Sequence, residues 1–102
     1  MSRGTRATPG CAPRCAGADL TNADLSGANL SGAQLYRANL TGAQLTDATL
    51  TGAYLYSADL TNASLTGASL TDADLNGANL TGVTWVNATC PDGNLGPYPC
   101  TP

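Results

Sequence analysis

From Ala18 the chain repeats itself every five residues. It reads ADLTN ADLSG ANLSG AQLYR and continues in that register to ANLTG at 78–82, thirteen quintets with Ala first and Leu third. Leu recurs without a gap from Leu20 to Leu80, and Ala from Ala18 to Ala78. Two looser quintets follow, with Val83 and Trp85, then Ala88 and Cys90, in the same phases. A period of five suits neither regular element. On an α-helix each step of five advances by about 140°, which scatters the leucines around the circumference. On a flat strand an odd step changes face each time, so every second Leu meets water. The leucines share one direction only if the backbone bends once per quintet. A quarter bend each time closes a square coil, with Ala and Leu inside and the other three residues outside.

The remaining positions suit that bend. The last residue of the quintet, from Asn22 to Asp92, is Gly, Asn or Asp in thirteen of fifteen cases. These residues tolerate positive φ or satisfy a tight turn with their own side chain. The residue after Leu is mostly Ser or Thr, which predicts a short strand with local hydrogen bonds. Ala is small because two inward side chains share a narrow interior, and a larger residue there would overpack it.

Composition removes several functions. A chain of 102 residues is one small domain, and 42% hydrophobic residues allow a packed interior rather than disorder. There is no His, Lys or Glu, so there is neither an imidazole base nor a Schiff-base lysine. No phosphate-binding loop appears. The expectation is a protein that is not an enzyme and has no cofactor and no metal. No apolar run reaches the roughly 18 residues of a membrane span. Residues 1–10 hold two Arg with no apolar stretch behind them, so they do not read as a secretory signal.

The quintets from Ala18 to Asp92 resemble the pentapeptide-repeat family, whose motif is A(D/N)LXX. The resemblance implies an all-β fold, a right-handed quadrilateral parallel β-helix with four quintets per coil. Fifteen quintets then make just under four coils, roughly 18 Å of stacked backbone at about 4.8 Å per step. The division this suggests is an N-terminal tail and cap over 1–17, the β-helix over 18–89, and a C-terminal capping loop over 90–102.

An open solenoid exposes an apolar cross-section and unpaired edges at each end, and both need caps. The cysteines lie there: Cys11 and Cys15 before the repeats, Cys90 and Cys100 after them. Cysteines at opposite ends are too far apart for a bridge, which needs Cα atoms within about 7 Å. The pairs that remain are Cys11–Cys15 and Cys90–Cys100, as disulfides or as free thiols, and a single four-cysteine zinc site is excluded by the same distance. The segment TWVNATCPDG also resembles the tail of bacterial members with a disulfide-bonded C-terminus. Paired cysteines point to an extracytoplasmic compartment, whereas the lack of a signal sequence points to the cytoplasm or to a truncated chain.

With four quintets per coil, residues twenty apart stack. Asp19, Asn39, Asp59 and Asn79 form one outer column, and Asp19 and Asp59, about 10 Å apart, are too distant to share a metal ion. Tyr36 stacks with Tyr56 on another side, with Tyr54 and Arg37 close by. Three of the four tyrosines thus share a face, which reads either as a stabilising ladder or as a contact patch for a protein partner of unspecified identity. From Ala18 to Asp92 there are seven Asp and one Arg, a net charge of −6. Such a surface disfavours direct nucleic-acid binding, and no membrane contact is expected. The open ends allow a homodimer by end-to-end stacking. The function read from these features is a structural or protein-interaction module. The alternative is a DNA-mimic inhibitor or protector of a type II topoisomerase such as DNA gyrase, an activity known in longer acidic members of the family.

Overall fold

The computed structural model describes residues 14–93 and Cys100. The chain winds as a coil in which each quintet lies beside the one twenty residues later. Parallel bridges join Asp19 to Asn39, Asn39 to Asp59 and Asp59 to Asn79, and the same step runs through the other three sides from Arg14↔Gln34 to Ser69↔Thr89. The described coil therefore has four sides, one quintet to a side. Side one carries the Asp19 column, side two the Asp24 column, side three the Asn29 column and side four the Arg14 column.

The quintet Asp59–Ala63 shows how the backbone is satisfied. The Leu60 amide donates to Asn79 O at 2.8 Å and the Asn62 amide to Thr81 O at 2.8 Å, both in the following coil. The Asp59 amide donates back to Ala38 O at 2.9 Å, and the Ala63 amide closes a turn onto Leu60 O at 2.9 Å. The fifth amide, that of Thr61, donates to the Asp59 carboxylate at 3.0 Å. Every N–H of the unit has a partner, which buried or half-buried backbone requires.

This arrangement corrects the expected short strands. Pairing is confined to one residue per side, the residue before Leu, and the Ser or Thr after Leu belongs to the turn. The turn spans Leu to the next Ala, and its third residue has positive φ, the position that type II turns reserve for Gly or Asn. Asn22, Asp47, Asn62, Asp72 and Asn87 take φ between 58° and 62°, and so do the two exceptions to the composition rule, Arg37 and Ser57. At the last described turn the pattern shifts. Asp92 is not among the positive-φ residues; Gly93 is, at 88°. Pro91 precedes them, and the Gly93 amide closes onto Cys90 O.

The interior is the predicted Ala and Leu column. Leu25 to Leu75 are all at most 1% exposed, and no polar or charged side chain is buried among the described residues. Burying each Leu contributes on the order of 1.5–3 kcal/mol by transfer. Toward the ends Leu20 and Leu80 become half-buried, with Ala18, Ala23, Ala78 and Val83. Trp85 fills the core near the C-terminal end at 6% exposure. Cys15 is buried and disulfide-bonded, and Cys11, its expected partner, lies outside the described residues. Cys90 and Cys100 form a disulfide with Cα atoms 5.3 Å apart.

The corners carry a packing rule beyond φ. The Asn22 Oδ1 lies where a Cβ on Gly42 would sit, and Asn62 Oδ1 and Asp47 Oδ1 do the same to Gly82 and Gly67. The column Asn22, Gly42, Asn62, Gly82 therefore alternates a side chain with the space that it occupies.

Two predictions follow from this geometry. Gly42→Ala meets both the left-handed backbone and the Asn22 side chain, whereas Gly52→Ala meets the backbone alone, since nothing lies within 4 Å of its added Cβ. Gly52→Ala should cost about 1–2 kcal/mol in denaturant unfolding. Gly42→Ala should cost more, and Asn22→Gly should recover the difference. The second concerns the C-terminal bridge, which closes a ten-residue separation. Its loss in Cys90→Ser/Cys100→Ser should cost about 2–3 kcal/mol. Because coils support only their neighbours, amide exchange should rise near residues 70–90 and stay slow near 40–60; uniform acceleration would contradict this.

Candidate functional site

Side four differs from the others. Its column of residues before Leu is Arg14, Gln34, Tyr54 and Asp74, joined in sequence by bridges. Its column after Leu places Tyr36 on Tyr56. The rings stack with centroids 4.8 Å apart and planes 1° from parallel, close to the usual separation of neighbouring strands. The coil spacing thus sets the stacking distance, and a face-to-face pair is accepted because the backbone imposes it. Tyr54 stands beside this pair, 48% exposed.

The three rings border a shallow, open depression of about 380 Å³, completed by Gln34 and Asp74. Asp74 Oδ1 accepts from the Asn76 amide at 3.0 Å and from Asn76 Nδ2 at 2.8 Å, so the carboxylate is held at the rim. Arg37 is exposed at the adjoining corner, with φ 61°, and does not line the depression. The structure therefore brings Tyr36, Tyr54 and Tyr56 together, leaves Arg37 as a flanking cation, and adds Gln34 and Asp74. Both added residues stand twenty from Tyr54, so the repeat register was the signal that could have found them.

The remaining candidates lie elsewhere. Of the described cysteines, Cys15 is buried in the Leu phase of the first quintet of side four, and Cys90 and Cys100 lie at the C-terminal end. No group of three metal-ligating side chains capable of holding an ion occurs among the described residues. No helix there is long and apolar enough to cross a membrane.

Side one is an acidic ladder with a different chemistry. Asp19 Oδ1 accepts from the Thr21 hydroxyl at 2.6 Å and the Thr21 amide at 3.1 Å, and Asp59 does likewise with Thr61 at 2.5 and 3.0 Å. Bonds from the threonine hydroxyl, then from the amide, hold both carboxyls below their ordinary value against a small opposing effect of burial, and the Thr41 hydroxyl adds to the effect on Asp59. A carboxyl whose folded value is lowered supports the fold above its unfolded value, and that support disappears as pH falls through the folded value.

A coil of bridged five-residue sides around an Ala and Leu interior defines a β-solenoid repeat protein. The family model for pentapeptide repeats, eight copies, matches residues 14–52 and 48–84, and the chain belongs to the pentapeptide-repeat family. Members of this family form right-handed β-helices. Among solved structures, a pentapeptide repeat protein of the Arabidopsis thaliana thylakoid lumen is 38% identical over 78% of this chain, with a TM-score of 0.74. The match covers 54% of that protein, so this chain spans about half its length. A pentapeptide repeat protein from Nostoc PCC 7120 is 32% identical over 81% of this chain and 74% of its own, with a TM-score of 0.49. HetL of Nostoc sp. strain PCC 7120, a pentapeptide repeat protein involved in heterocyst differentiation regulation, is 35% identical over 89% of this chain and 47% of its own, with a TM-score of 0.37. No curated protein matches the chain.

The threonine bonds make a measurable prediction. In an NMR titration of side-chain carboxyls, Asp59 should titrate below the ordinary carboxylate range, and Thr61→Val should move its midpoint upward. An unchanged midpoint would show that the hydroxyl is not the cause.

Proposed function

We propose that the chain is a non-enzymatic interaction module, a solenoid of just under four coils with capped ends that presents side four to a protein partner. The observation that carries this reading is the gathering of Tyr36, Tyr54 and Tyr56 around one open depression. Tyr and Arg are the residues that most often dominate contact energies, because each offers a large, stiff surface with a polar end. Here three tyrosines share a face with Arg37 at its corner, whereas sides one to three expose mainly short hydroxyl, amide and carboxylate side chains. The absence of His, Lys and Glu supports the non-enzymatic part. The Ala and Leu interior needs none of these tyrosines, since the other three sides close over the same core without them.

Immobilised protein should retain a specific partner that the Tyr36→Ser/Tyr54→Ser/Tyr56→Ser variant does not. A control on side three, Thr49→Ala/Thr71→Ala, should retain it unchanged. Equal retention by the tyrosine variant and the native chain would remove the reading.

A further inference from the structure

We infer that the partner for which side four is built is a second copy of this chain, docked antiparallel, face to face. This rests on the reading of side four as a contact face and names its occupant. The column Arg14, Gln34, Tyr54, Asp74 carries a cation at its N-terminal end and a carboxylate at its C-terminal end, three coil steps away. Asp72, at the adjoining corner, strengthens the negative end. A twofold axis that crosses the face at right angles to the solenoid reverses the column on itself. Arg14 then faces Asp74 of the second copy, and Asp74 faces its Arg14. The same operation sets Gln34 against the second Tyr54, and Tyr36 against the second Tyr56, so the aromatic pairs meet at the dyad. A parallel arrangement would instead place Arg14 on Arg14 and Asp74 on Asp74, and like charges in contact are unfavourable.

No other side has this property. The Asp19 column places only carboxylates and amides on side one, the Asp24 column on side two continues through Gln44, Ser64 and Thr84, and the Asn29 column on side three is uncharged. Among the described residues the only two cations, Arg14 and Arg37, stand on side four or at its corner. Three coil steps are roughly 15 Å. One such face buries less than the ~800 Å² per partner of a standard interface, so association is weak and depends on concentration.

Sedimentation velocity on the full chain, from about 10 µM to about 1 mM, tests this. The native chain should move from monomer to dimer across the range. Arg14→Asp and Asp74→Arg should each weaken dimerisation roughly tenfold, with the β-helix circular-dichroism spectrum retained. The double reversal, Arg14→Asp with Asp74→Arg, should restore it to within about threefold of the native chain. A monomer at every concentration would overturn the inference, and so would a dimer indifferent to both reversals, the behaviour expected of end-to-end stacking. A monomeric chain whose tyrosine face still retains another protein would overturn only the self-pairing. Absence of both would overturn the contact reading as well.

Discussion

The structure depends on hydrogen bonds between backbones one coil apart. From Leu20 to Leu70 each Leu amide reaches a carbonyl nineteen residues ahead, as Leu40 does to Asp59 O at 2.7 Å, and from Asn39 to Thr89 each residue before Leu reaches a carbonyl twenty-one residues behind. This pair of bonds fixes a twenty-residue coil, and much else follows from it. The Ala and Leu side chains stack because their backbones do. The corner residues must accept positive φ because the chain has to turn within two residues of each Leu. Arg37 and Ser57 take that conformation against their own preference, held there by the coils above and below.

The interior was legible in the sequence because a five-residue Leu period permits so few alternatives. The positive-φ corners were legible for a related reason, that Gly, Asn and Asp recur where the turn falls. The residues after Leu misled, since Thr favours strands by local preference. Here the quintet leaves room for only one paired residue, and Thr61 enters the turn. The bond from the Thr61 amide to Asp59 was implicit in the motif, in which Asp or Asn stands two residues before that amide, but its meaning appears only once the amide is seen to lack a backbone partner. The alternation of Asn22 with Gly42 is a contact across twenty residues and could not be read locally. The shift to Gly93 falls where Pro91 replaces the Ser or Thr of the repeat.

A solenoid of this kind separates the packing of its core from the choice of its outward side chains. The core repeats one solution, and the backbone needs nothing from most outward side chains beyond small size or a hydrogen bond. Side one uses its freedom to secure threonine amides with Asp and Asn. Side four uses it for aromatic and oppositely charged residues that leave the core unchanged. Tyr36 and Tyr56 do both at once, since their 4.8 Å stack follows the coil spacing and the same rings line the depression.

The most direct test of the account is an NMR measurement of scalar coupling through hydrogen bonds, which links an amide nitrogen to the carbonyl carbon that accepts it. The account predicts correlations from Leu45 nitrogen to the Ser64 carbonyl and from Ser64 nitrogen to the Ala43 carbonyl. Correlations to carbonyls four residues earlier, or to partners that change from one quintet to the next, would contradict it.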